Sequence, residues 1–299
     1  MNDTVIHMLA HQPPPNAAAA APRHGLRRHG RVFAAAALLW CGQCFANDWS
    51  KVSGPSHGTS QVVGQTTAGC LMGAEALPID GDGYRVVHLD RKRYFGHPTL
   101  IRTLKDLGRQ VGRLGIGILH IGDLAQARGG PMPSGHRSHQ NGLDVDVRFN
   151  LDPRAFVNAD ALRVNISAPS MLNLARDNLD RKLWGQRQIT MLEKAAQLPG
   201  VERIFVNPHI KKDLCMRVGY NRSWLRKIRP WYGHDDHFHL RLGCPAGSPR
   251  CVPQDPVPAG DGCDASLEWW LEQPLPPSRP QPGPDPVLPP ECSVALKQR

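Results

Sequence analysis

The 299-residue chain predicts an α+β fold: a small antiparallel or mixed sheet, flanking helices and long disulfide-stapled loops. Three observations point there. Short strand-like runs are separated by helices of unequal length, 29 Gly and 28 Pro mark a loop-rich chain and not a helical bundle, and cysteine is plentiful. Apolar residues make up 40% and charged residues 21%, a globular composition too apolar for a disordered chain. No stretch approaches the ~18 consecutive apolar residues of a transmembrane helix. The length allows one large domain or two small ones, either able to bury a core.

Arg23, Arg27, Arg28 and Arg31 precede the apolar run from Val32 to Trp40, and Cys44-Phe45-Ala46 then ends on a small residue. That is the pattern of an export signal cleaved before Asn47. Residues 1–46 are thus expected to be an N-terminal extension plus signal peptide, 47–272 the working domain, and 273–299 a Pro-rich tail. Within the domain, Pro98 to Gly115 has helical spacing through Leu100, Ile101, Leu104 and Leu107. Ile116 to Ile121 is a short apolar run suited to a buried strand. Leu143 to Phe149 alternates apolar and polar residues, as do Phe238, Leu240 and Leu242 against His237, His239 and Arg241; both read as half-buried strands. Gln188 to Leu198 and Asp213 to Val218 read as helices, and Arg203 to Val206 as a strand. Nine of the 17 residues from Pro274 to Pro290 are Pro, so this segment packs no core of its own. Cys292 beyond it suggests a tail tied back to the body.

Six cysteines lie after residue 46: Cys70, Cys215, Cys244, Cys251, Cys263 and Cys292. An even number fits an oxidising compartment and up to three disulfides, with ~15 pairings open. No C-x2-C pair survives among them, which argues against a zinc finger. The formal charge of +10 falls to +7 without residues 1–46, which hold four arginines and one aspartate. The basic residues are spread, with only Arg222, Arg226, Lys227 and Arg229 close together, and accompany no nucleic-acid motif.

The chemistry concentrates in two clusters. One runs from Ser134 through His136 and His139 to Asp144 and Asp146; the other is His234-x-x-His237-x-His239. On strands, His237 and His239 share a face, as do Asp144 and Asp146. Two such strands side by side would unite His139, Asp146 and His239 into a tripod of two imidazoles and a carboxylate, the donor set of catalytic zinc. Asp144 is expected to act behind the ligands as a hydrogen-bond acceptor. His136 reads equally as loop packing or as a further ligand. No Glu lies between Glu75 and Glu193, and no H-E-x-x-H helix occurs, so a histidine is the expected base in place of the usual glutamate. His237, on the ligand's own strand face, is the candidate base or oxyanion stabiliser, with His234 assisting.

Gly129-Gly130-Pro131, Gly135-His136-x-Ser138-His139-Gln140-x-Gly142-Leu143-Asp144-x-Asp146, Arg203 to Pro208, Trp224 to Trp231 and His234-x-x-His237-x-His239 resemble motifs of the penicillin-insensitive murein endopeptidases. This family belongs to the group that includes lysostaphin, the D-Ala-D-Ala metallopeptidases and the hedgehog signalling domain. The resemblance spans about Cys70 to Trp270. It implies a periplasmic LAS-type zinc metallopeptidase that hydrolyses D-alanyl–meso-diaminopimelyl crosslinks in peptidoglycan stem peptides. It further implies His139, Asp146 and His239 as ligands and His237 and His234 as catalytic histidines. His136 would lie near the metal. A second ion would involve Asp177, but its expected partner position holds Asp180, not His. The implied disulfides are Cys70–Cys292, Cys215–Cys263 and Cys244–Cys251. Two other readings share these residues. A D,D-carboxypeptidase would need a cationic clamp from Arg137, Arg226 or Arg229, and a non-catalytic wall-binding domain would use zinc structurally.

Overall fold

The computed structural model describes residues 48–133, 135–273 and 286–298. The proposed export segment, Ser134 and most of the proline run lie outside the described residues. The strands are β1 Gln61–Gln65, β2 Ala68–Met72, β3 Glu75–Ala76, β4 Asp80–Gly81, β5 Tyr84–Val86, β6 Phe95–Gly96, β7 Leu119–Ile121, β8 Asp144–Arg148, β9 Val201–Val206, β10 Ile228–Pro230 and β11 His237–Leu242. The helices are α1 Asp48–Lys51, α2 Pro98–Arg113, α3 Gln186–Gln197, α4 Pro208–Arg217, α5 Ala265–Glu272 and α6 Pro290–Lys297.

Among the described residues, seven strands form one mixed sheet in the order β10-β9-β11-β8-β7-β5-β4. Its centre is antiparallel, with β11 between β9 and β8; β10–β9 and β7–β5 pair in parallel. Two ribbons, β1–β2 and β3–β6, stand beside it. The fold is α+β, as expected.

The spacing on α2 buries Leu100, Ile101, Leu104, Leu107 and Val111 as one stripe. Pro98 occupies the first helical position and the His97 ring accepts from the Thr99 amide at 3.2 Å, which closes the N-terminus. This stripe joins Val145, Val147, Phe238, Leu240, Ile204 and Val206 in one continuous core, each large apolar side chain contributing roughly 1.5–3 kcal/mol. The other sheet face carries the polar partners of those strands: Asp146 pairs with His239, Asp144 with Arg241, and Arg148 with His237.

Four expectations are corrected in detail. The β8 strand is buried along its whole length, because its polar face lies under the site and not in water. The predicted strand from Ile116 shortens to Leu119–Ile121. Gly117 sits at φ 133°, and a Cβ there would meet the Leu151 carbonyl oxygen at 2.2 Å, so the chain bends before the strand starts. The helix predicted from Asp213 begins at Pro208, where the Asn207 carboxamide accepts from the His209 amide at 3.0 Å. The predicted half-buried β11 likewise has four of its six residues buried.

Among the described residues, three disulfides staple the loops: Cys70–Cys292, Cys215–Cys263 and Cys244–Cys251. The first joins β2 to α6, where the Arg128 guanidinium also donates to the carbonyls of Ala295 and Leu296 at 3.1 and 2.8 Å. Among the described residues, no helix is long and apolar enough to cross a membrane.

Candidate metal centre

Strand register builds the centre. Pairing of β8 with β11 sets Asp146 opposite His239, and the loop before β8 brings in His139. His139 takes a left-handed backbone, φ 68°, and its amide donates to Asp144 Oδ2 at 2.9 Å. The loop after β7 closes the far side: the Gly122 amide donates to the Asp146 carbonyl at 2.8 Å, and the Asp146 amide to the Asp123 carbonyl at 3.0 Å.

Asp146 is the hub. Its Oδ1 lies 3.4 Å from His139 Nε2, 3.4 Å from His239 Nδ1 and 3.8 Å from His237 Nε2. Its Oδ2 lies 3.3 Å from His136 Nε2. Four imidazoles therefore converge on one buried carboxylate. His136, His139 and Asp146 each offer a ligand atom within 4.8 Å of the others. That compact trio contains His136 where the sequence pointed first to His239, since the loop folds His136 over the opposite carboxylate oxygen.

The neighbouring side chains orient these groups. Asp144, wholly buried, accepts from Arg241 Nε at 2.6 Å and Nη2 at 3.1 Å and faces His239 Nε2 at 3.3 Å. That contact turns His239 Nδ1 toward Asp146. Asp123 accepts from Arg93 at 2.8 Å and Arg91 at 3.1 Å and bonds His136 Nε2 at 3.1 Å. His237 Nδ1 bonds Asp236 at 2.5 Å, so its Nε2 faces the centre. His234 Nδ1 donates to the Tyr232 carbonyl at 3.0 Å, which leaves Nε2 as an acceptor.

The electrostatics are those of a cation site. Burial opposes ionisation of Asp146, but the surrounding imidazoles, His139 foremost, hold its carboxyl well below the usual range. Burial likewise opposes charge on His237, yet Asp146 and Asp236 raise its pKa to about 9. Burial, reinforced by the charges of His237 and His239, lowers His234 to about 3. A metal ion would replace the protons that these carboxylates otherwise attract.

Among the described residues of this centre, three buried atoms have no hydrogen-bond partner: His139 Nδ1, His139 Nε2 and Asp146 Oδ1. Leaving such atoms bare costs roughly 1–3 kcal/mol each. Ligand atoms around a tetrahedral zinc stand ~3.3–3.5 Å apart for Zn–N and Zn–O bonds of ~2.0–2.2 Å. The 3.4 Å separations from Asp146 Oδ1 to His139 and to His239 match that spacing. The residues fit a zinc-sized ion.

Asp177 stands outside this group. It is exposed and accepts from Asn173 Nδ2 at 2.8 Å. Asp123 and Arg241 were not picked out from the sequence as site residues. Arg241 shares the face of His237 and His239 by alternation, and Asp123 follows the apolar run ending at Ile121, two signals that could have found them.

A His/His/Asp donor set with two of its three residues buried stands beside two ring-paired histidines on a disulfide-stapled α+β domain, the arrangement of a candidate metal site. The profile of the penicillin-insensitive murein endopeptidases matches residues 62–297. The penicillin-insensitive murein endopeptidase of Klebsiella pneumoniae (strain 342) is 42% identical over 272 residues, covering 89% of this chain and 97% of the relative. That of Escherichia coli O1:K1 / APEC is 42% identical over 257 residues, covering 85% and 92%. The chain belongs to the penicillin-insensitive murein endopeptidase family and is a peptide hydrolase acting on peptidoglycan.

Proposed function

We propose that this protein is a zinc-dependent murein endopeptidase that hydrolyses D-alanyl–meso-diaminopimelyl crosslinks between peptidoglycan stem peptides, with a LAS-type fold. The convergence of four histidines on Asp146, with orphaned donors between them, carries this reading. His139, Asp146 and His239 hold one zinc ion. His239 is preferred to His136 as the third ligand because it is buried and aimed by Asp144, whereas His136 is partly exposed and already bonded to Asp123. His136 remains available to a second ion; the exposed Asp177 is a poor partner for it.

Zinc, when bound, supplies Lewis-acid polarisation of the scissile carbonyl and of the attacking water. With zinc on Asp146 offsetting the carboxylate charge that raises His237, its Nε2 is left to receive the water proton as the C–O bond forms and to return it to the departing amine as the C–N bond breaks. In its charged form the same nitrogen stabilises negative charge on the carbonyl oxygen. His234, with Nε2 free to accept only, orders the proton network and does not polarise the carbonyl.

The working domain covers 47–272 and carries the site; residues 1–46 direct export to the periplasm, with cleavage after Ala46, and 273–299 form a tail bound through Cys292. Of the three cations considered for a carboxypeptidase clamp, Arg226 is engaged with the carbonyls of Val257 and Pro258 at 2.7 and 2.8 Å. Mass spectrometry of digested muropeptides tests the function. The expected product is monomers from crosslinked dimers, lost in His239→Ala together with the metal. Loss of a single terminal Ala from monomers would indicate a carboxypeptidase instead, and binding to sacculi without any product a wall-binding domain.

A further inference from the structure

An aromatic path leads away from the metal centre. The Phe205 ring stands 5.5 Å from that of His239, and Trp231 stands 5.7 Å from Phe205. Trp270 follows at 5.5 Å from Trp231, and Trp269 at 5.3 Å from Trp270. The Tyr232 ring packs 5.0 Å from Trp270, and its hydroxyl donates to the Trp270 carbonyl at 3.0 Å.

Trp231 and Trp269 are 52% and 53% exposed, whereas Trp49, Trp184 and Trp224 are buried. Large aromatic rings held half in water form the kind of patch that marks an interaction surface. Its mount is rigid. The Cys215–Cys263 disulfide ties α4 to the start of α5, and α5 buries Leu267 while leaving Trp269 outward. In α5, Glu268 and Glu272 are exposed beside the tryptophans.

We infer that Trp231, Trp269 and Trp270 form a platform for the amino-sugar rings of the glycan strand that carries the scissile crosslink. The inference rests on the murein endopeptidase reading. The platform is continuous with the metal centre through Phe205, so a polymer held there enters the site from one side. Pyranose rings present apolar C–H faces that stack on indole, and their hydroxyls donate to carboxylates such as Glu268. Sugar suits this surface.

The full-length enzyme with Trp269→Ala tests the platform on two substrates: crosslinked sacculi, and the same crosslinked peptides freed of sugar. The expected result is at least a fivefold loss of rate on sacculi, with the rate on sugar-free peptides within twofold of wild type. Trp269→Phe should recover most of the loss. A hexamer of N-acetylglucosamine should quench tryptophan fluorescence in wild type and much less in Trp269→Ala. Equal rates on sacculi, or equal losses on both substrates with unchanged melting temperature, would overturn the platform. So would a concentration-dependent dimer abolished by Trp269→Ala, which would make the patch a self-association surface. If wild type cleaves neither substrate, the endopeptidase reading itself fails.

Discussion

Two contacts meet in the wholly buried Asp144 carboxylate. It neutralises Arg241 and aims His239, and its pKa lies far below the usual range although burial alone would raise it. Asp144→Asn leaves the partly buried Arg241 guanidinium opposite a neutral amide, a change expected to cost about 3 kcal/mol. With His239 as the proposed ligand, loss of the carboxylate behind it should also weaken metal affinity ~10–100-fold. Thermal unfolding and metal analysis after dialysis should show both effects; an unchanged metal content would show that His239 needs no such support. Lys211 gives a separate test. It is fully buried and donates to the carbonyls of Leu225 and Asp261 at 2.8 and 2.5 Å. Burial, with Arg229 nearby, lowers its pKa from 10.5 to about 7. Between those values the unfolded chain binds more protons than the folded one, so stability rises with pH across that window and this contribution is flat below it. The advantage of wild type over Lys211→Met in urea unfolding should therefore be greater at pH 9 than at pH 7. An advantage that stays equal or shrinks would contradict the assignment.

At the scale of elements, strands and helices with a clear period were legible: the stripe of α2, and the alternation in β8 and β11. The resemblance to a known family, not periodicity, supplied the three cysteine pairings. Long-range register was not legible. That His239 faces Asp146, and that Asp123 folds back beside them, depends on pairing between distant segments that no local pattern encodes. The clusters still named the central residues, because functional side chains crowd where a strand begins. Hairpin β1–β2 and helices α5 and α6 went unread, being short and lacking strong apolar period. The tail's attachment predicts a measurable effect. Cys70 and Cys292 close a loop of 222 residues, and opening it by Cys292→Ser should cost roughly 2–5 kcal/mol. Urea unfolding of the oxidised variant gives the number. A loss below ~1 kcal/mol would mean that α6 is held by its packing and by Arg128 alone.

For the whole molecule, one sheet separates two kinds of work. One face packs α2 and the rest of the core; the other gathers charged residues that a globular protein would otherwise leave in water. Burying Asp146, His139 and His239 together suits a site built to hold a cation, and family membership identifies peptidoglycan as the polymer the enzyme acts on. Peptidoglycan is also a polyanion in part, which agrees with the net charge of +7 that the chain carries without residues 1–46. The most direct test is cleavage of a purified crosslinked muropeptide dimer by wild type stripped of metal, then resupplied with one equivalent of zinc, beside His239→Ala treated the same way. The account predicts no monomer from stripped enzyme, recovery near one zinc per chain in wild type, and none in His239→Ala. Full cleavage by stripped enzyme, or recovery in His239→Ala, would contradict it.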